Sequence, residues 1–167
     1  RNLALDKLIA PYVCFIDSDL VPHPALLERH LDVIQRAGYV SLGDVRYTNA
    51  SSNLWAAYAQ TRGKHKYADG AEIPPYYLVT GNCAHATKYF VEVGGQDPGF
   101  MGYGGEDTDY ALRVASTFPV HIVFSKNAVC TGVMRKTLAQ GLDELEEFGR
   151  LNLHLLHKKH PNEHRMF

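Results

Sequence analysis

The chain has 167 residues, 46% of them hydrophobic and 21% charged, which is enough apolar surface for a packed core and too much for a disordered tail. Its formal net charge is -1 and its basic pairs, Arg135-Lys136 and Lys158-Lys159, stand alone, so the composition does not favour nucleic acid as a partner. No apolar run approaches the roughly 20 residues that span a bilayer. Three cysteines far apart, Cys14, Cys83 and Cys130, point to a reducing, cytoplasmic setting and to buried small hydrophobes.

The chain opens on RNLALDKLIA, already in helical rhythm and without an initiator Met or a leading strand. It reads as a piece of something longer, with any targeting or membrane-peripheral region upstream. Leu3, Leu5, Leu8 and Ile9 approximate one face of a short helix that Pro11 ends. YVCFI, uncharged, β-branched and aromatic, predicts a strand buried on both faces that delivers Asp17 to its carboxyl end. HPALLERHLDVIQRAG has Pro24 near its start, Leu26, Leu27, His30, Leu31 and Ile34 at helical spacing, and Gly38 as a stop. YVSLGDVRY resumes strand character. SNLWAAYAQTRGKH predicts a helix in which Trp55 packs rather than lines a sugar site. KYADGAEIPPYY is rich in Gly, Pro and polar residues, and Lys64 to Tyr77 is expected to be a mobile lid over an acceptor.

YLVTGNCAHATKYFVEVGG reads as a strand, a Gly-Asn break and a short helix closed by Gly94-Gly95. GEDTDYALRVAST begins a helix with acids in its first turn, and VHIVF is a strand. From Leu138 to about His160, the residues Leu142, Leu145, Phe148, Leu151, Leu155 and Leu156 recur at the spacing of a packed terminal helix. With no repeat or inner boundary, residues 1–167 read as a single domain. Alternating strands and helices predict a layered α/β fold, in which ligands sit outside the carboxyl ends of the strands.

Two groups of acids carry the chemistry. In FIDSDL, residues two apart in an extended segment project to one side, so Asp17 and Asp19 can offer oxygens to one hard cation, Mg²⁺ or Mn²⁺. The competing reading is a turn whose acids cap the next helix. In GYGGEDTDYALR, Gly102, Gly104 and Gly105 permit tight turns before Glu106, Asp107 and Asp109. Favourable charge at a helix N-terminus accounts for one or two of these acids. A general base among them is the other reading, a role worth on the order of 10²–10⁴-fold in rate.

These stretches together resemble family 2 glycosyltransferases of the GT-A fold, a Rossmann-related layered α/β sandwich. RNLAL is similar to the family's Arg-Asn helix segment and FIDSDLVPHPALL to its DxD strand and loop. TGNCAHATKYFVEVGGQDPGF is similar to its acceptor-side stretch, and GYGGEDTDYALR to its ED motif. The resemblance implies metal-assisted, inverting transfer of a sugar from a nucleotide-diphosphate donor, a UDP-sugar foremost, to an acceptor hydroxyl. It implies that Asp19 binds the metal bridging the diphosphate and that Asp17 supports the metal or the ribose. Asp107 is then the base and Glu106 holds the acceptor or orders the loop. Tyr103 stacks on a sugar, Gly105 and Asn82 lie at the acceptor, and Asp109 is structural.

The sequence departs from the family pattern in two places. NAVCTGVMRK holds no His where the family commonly supplies a metal ligand, and the nearby Cys130 is too soft for Mg²⁺ or Mn²⁺; the third ligand stays open. His154, His157 and His160 read as surface or packing residues. The family's opening βα units, which hold the nucleotide, have no counterpart before Arg1, so the segment by itself is expected to bind donor weakly and to be weakly active or inactive. An exposed sheet edge would then invite pairing between chains. Asn82 divides between a sugar contact and a loop cap, and His85 between a sugar contact and a core-edge position. Arg113 is expected to pair with Asp109, four residues earlier, and Arg135 or Lys136 can reach a diphosphate. The alternatives are a DxD phosphohydrolase of the haloacid dehalogenase type and a non-catalytic glycan-binding remnant.

Overall fold

A computed structural model of the chain describes residues 2–163; Arg1 of the Arg-Asn segment lies outside them. Among these residues one mixed sheet has β1 (Tyr12–Ile16) at one edge, followed by β4 (Asn82–Ala86), β3 (Tyr39–Tyr47), β5 (His121–Gly132) and, at the far edge, β2 (Val21–Pro22). Only β3 and β5 pair in parallel. The helices are α1 (Leu26–Ile34), α2 (Leu54–Ala59), α3 (Thr87–Glu92), α4 (Glu106–Thr117) and α5 (Leu138–Lys159).

Alternation along β3 sorts the layers. Val40 and Leu42 join Phe15, Cys83, Ile122 and Phe124 in a core closed by Phe90 of α3 and by Tyr110, Ala111 and Val114 of α4. Ser41 points the other way, to α1, whose His30 bonds it at 2.8 Å. On that face Leu26 packs on Ala128 and Cys130. Helices thus cover both faces of the sheet, a GT-A-like α/β architecture.

The β3–β5 ladder runs in register from Tyr39↔His121 to Gly43↔Ser125 and resumes at Asp44↔Val129, so Lys126, Asn127 and Ala128 bulge out of β5. The Asn82 side chain fills this bulge. Its Nδ2 donates to the Asp44 and Ala128 carbonyls at 2.8 and 2.9 Å, and its Oδ1 accepts from His30 Nε2 at 2.9 Å. In the neutral ring, donation through Nε2 leaves Nδ1 to accept from the Ser41 hydroxyl. Burial lowers its pKa, which agrees.

Several elements differ from the sequence reading, each for a local reason. The opening segment is a 3-10 helix (Asn2–Lys7) with no buried residue; Leu5 and Leu8 rest on the core while Leu3 and Ile9 face solvent. β1 is an edge strand with only Phe15 buried, not a strand enclosed on both faces. YLVT is not the strand expected there: a 3-10 turn (Pro75–Tyr77) leads into the core residue Leu78, and β4 begins at Asn82, the second residue of the Gly-Asn pair. The expected lid is pinned along β5. Gly70 and Ile73 donate to the Phe124 and Ile122 carbonyls at 2.8 Å, and Phe124 donates back to Ala71 at 2.9 Å. Ile73 sits in the core, and the buried Lys64 amine donates to the Gly43 carbonyl at 2.5 Å, with desolvation pushing its pKa down to about 8. A segment held at both ends in this way does not swing as a lid.

Helices α1, α4 and α5 follow the sequence, whereas the helix expected over SNLWAAYAQTRGKH ends with α2 at Ala59 and Gly63–Lys66 forms a separate 3-10 turn. Thr137 and Gln140 form a reciprocal capping box that starts α5. Trp55 is buried, with its ring against Gly141 of α5. The three cysteines are free thiols, and burial pushes Cys14 up to about 11.

Candidate functional site

The DxD acids leave β1 on a turn rather than an extended segment. The Leu20 N–H donates to the Asp17 carbonyl at 3.1 Å, closing Asp17–Leu20. The argument that alternation puts both carboxylates on one side therefore fails, and the turn takes its place. Asp17 is half-buried and Asp19 exposed. Neither caps the next helix, because α1 begins after Ala25 without any side-chain cap.

Asp17 is fixed against the segment before β4. Its N–H donates to the Gly81 carbonyl at 3.0 Å, and a Cβ at Gly81 would stand 2.6 Å from Asp17 Oδ2. The residue before Gly81 holds the other acid. Thr80 donates its N–H to Asp107 Oδ2 at 3.2 Å and its hydroxyl to Asp107 Oδ1 at 2.5 Å, and Gln96 Nε2 donates to the same Oδ1 at 2.6 Å. The carboxyl end of β1 and the start of α4 thus meet on two consecutive residues, about 3.8 Å apart at Cα. Asp17 and Asp107, 90 positions apart in the chain, are thereby held on neighbouring residues.

The glycine loop before α4 is shaped by backbone and by one amide. Gly102, Gly104 and Gly105 all have positive φ, and at Gly105 (φ +99°) a Cβ would also stand 2.8 Å from the Phe100 ring. Asn152 of α5, fully buried, donates Nδ2 to the carbonyls of Met101, Tyr103 and Gly104 at 2.9, 3.1 and 2.7 Å. These bonds present Tyr103 at the surface, with Lys136 Nζ 5.1 Å from its ring centroid and paired to Glu144 at 2.7 Å. Lys136 is thereby engaged by Glu144 and the Tyr103 ring. Burial raises the Tyr103 pKa, Glu144 and Glu106 add to the rise, and Lys136 and Arg62 oppose it.

Glu106 opens α4 and lines a hollow of about 310 Å³ together with Asn2, Gln96, Asp97 and Phe100. Asp109 faces inward. It is fully buried and pairs with Arg113 at 2.8 Å, as the four-residue spacing predicts, and with His160 at 3.0 Å and Lys159 at 3.3 Å. Asn82, expected at the acceptor, has no solvent-exposed surface and its amide serves the sheet. His85 is a core residue: Nδ1 donates to the Ala86 carbonyl at 2.9 Å, Nε2 accepts from the Tyr110 hydroxyl at 2.7 Å, and burial lowers its pKa to about 4.

Tyr47, at the end of β3, lies beside the DxD turn and was not singled out from the sequence. Its ring and the Asp19 carbonyl both border Gly132, and burial raises its pKa, with Asp19, Tyr103 and Asp17 adding to the rise. Its N–H donates to Gln60 Oε1 at 2.5 Å. Only a tyrosine ending a predicted strand hinted at this. Cys130 is excluded as a hard-metal ligand, being buried against Leu26 with its thiol pKa raised by desolvation. Among the described residues no three His, Cys, Asp or Glu side chains gather at one point, and no helix is long and apolar enough to cross a membrane.

Comparison with known families follows the same geography. Residues 69–131, which carry the ED motif, match the family described as the N-terminal domain of galactosyltransferase. No curated protein matches the chain. Residues 1–93, more than half of the chain and including the DxD turn with its Thr80-Gly81 anchor, match glycosyl transferase family 2, and the chain belongs to that family.

Proposed function

We propose that the site transfers a sugar from a nucleotide-diphosphate donor, foremost a UDP-sugar, to an acceptor hydroxyl with inversion at the anomeric carbon. The observation that supports this reading is the anchoring of Asp17 on Gly81 and of Asp107 on Thr80, two consecutive residues; on this reading the first acid serves the diphosphate and the second is the base. Asp107 accepts the acceptor's hydroxyl proton as the new C–O bond forms. The bond from the anomeric carbon to the phosphate oxygen breaks, and its electron pair leaves with the nucleoside diphosphate. Glu106, Gly105 and Tyr103 form the acceptor side, and one face of the Tyr103 ring is already taken by Lys136.

The donor set suits Mg²⁺ or Mn²⁺: Asp17 and Asp19 supply hard oxygens from a single turn, and such ions complete their shells with water and substrate phosphate. The ion, held by Asp19 with Asp17 beside it, would neutralise charge on the departing diphosphate. The phosphohydrolase alternative loses its support once the family match is in hand.

A panel of nucleotide sugars with Mn²⁺ tests the proposal. Release of nucleoside diphosphate, with an inverted glycoside as product and no turnover of an aryl phosphate, is the expected result. Carbohydrate binding without any donor turnover would contradict it and favour a binding remnant.

A further inference from the structure

Gln96 lies outside both acidic motifs, yet it is placed by three separate features. Its side-chain Nε2 donates to Asp107 Oδ1 at 2.6 Å and to Thr80 Oγ1 at 3.0 Å. Its backbone is gripped by one side chain: Asn2 Nδ2 donates to the Gln96 carbonyl at 2.6 Å, and the Gln96 N–H donates to Asn2 Oδ1 at 2.9 Å. Asn2 can come this close because position 95 is glycine. At φ +72° a Cβ there would be strained and would stand 2.6 Å from Asn2 Oδ1. From the other side Arg113, held by buried Asp109 at 2.8 Å, donates to the Gly95 and Val93 carbonyls at 2.7 and 2.6 Å.

We infer that Gln96 is a positioning residue for Asp107 and that Asn2 sets it in place. This rests on Asp107 being the base of the proposed transfer. Thr80 grips the carboxylate through both oxygens, and the Gln96 amide adds a second short donor on Oδ1, which fixes the rotation of the group about its last torsion. A donor to a carboxylate also favours its ionised form, the form that accepts a proton. Gln96 therefore acts on both the aim and the ionisation of Asp107. The Arg-Asn segment gains a role too, because Asn2 is the far end of the same chain of bonds.

Two variants test this, Gln96→Met, which keeps length and apolar volume but has no amide donor, and Asn2→Ala at an exposed position. The first readout is the Asp107 carboxyl titration followed by carbon NMR, which needs no activity. It moves to higher pH by about one unit in Gln96→Met and by less, in the same direction, in Asn2→Ala. The second readout is kinetic. In Gln96→Met kcat falls about 10- to 100-fold, the donor KM stays within about two-fold, and the acid limb of kcat/KM moves to higher pH. An Asp107 titration unmoved in both variants overturns the inference even where the rate falls. A titration that moves while Asp107→Asn keeps full turnover supports the inference as a contact and overturns only the assignment of the base.

Discussion

Substituting Gly81 with alanine perturbs the donor-side acid while leaving the fold almost untouched. The added Cβ stands 2.6 Å from Asp17 Oδ2, and ordinary contact begins near 3.4 Å, so the carboxylate must retreat by about 0.8 Å. The obstacle is the far end of a side chain and not backbone, so Asp17 can yield by a torsion change costing about 1 kcal/mol. Displacing a positioned group by about 1 Å costs on the order of 10²-fold in rate. Gly81→Ala is therefore expected to lower transfer about 100-fold, with diphosphate affinity in the presence of Mn²⁺ falling alongside it, while the urea midpoint changes little. Calorimetry with UDP and Mn²⁺, transfer kinetics and denaturation on the same preparation separate these effects. Undiminished transfer and affinity in Gly81→Ala would refute the claim that Asp17 works from its seat against Gly81. A collapse in stability would refute the claim that the seat is functional rather than structural.

Other substitutions read other parts of the structure. Gly43→Ala would drive a Cβ onto the Asn82 amide and to 2.5 Å from the Ala128 carbonyl, a backbone atom that cannot step aside, so a loss of about 3 kcal/mol is expected by denaturation. Gly149→Ala, inside α5 with nothing near its Cβ, is expected to stabilise by about 1 kcal/mol. The pKa of His85 is lowered from 6.5 to about 4, so the unfolded chain binds a proton in this window that the native ring refuses. Stability is full above pH 6.5 and is lost as pH falls towards 4, by about 3 kcal/mol for this group. Urea midpoints at pH 7 and 4.5 should differ accordingly, and His85→Gln should flatten the difference; an unchanged profile would contradict the assignment.

Much of the frame was legible because its signals are local. The α4 helix announces itself by glycines followed by acids, and the Asp109–Arg113 pair follows from helical spacing alone. β4 was misplaced because NCAHA has little strand propensity of its own; it is a strand because β1 and β3 pair with it on both sides. The expected lid was misread for a related reason, since glycine and proline mark a loop but do not reveal that its amides bond β5. Asn82 reads as a sugar contact or a loop cap until a bulge 46 positions away requires its amide. The site itself depends on Thr80 and Gly81, a pair with no chemistry to advertise, and on Gln96, whose partner Asn2 is 94 positions distant. Such contacts exist only once the sheet is assembled.

The central claim is that Asp107, held on Thr80 and Gln96, removes the acceptor's proton. Asp107→Asn keeps the shape of the group and removes its basicity. Comparing donor affinity and kcat in this variant with the native protein tests the claim most directly. The account predicts a fall in kcat on the order of 10²–10⁴-fold with donor affinity retained; native turnover in Asp107→Asn would contradict it.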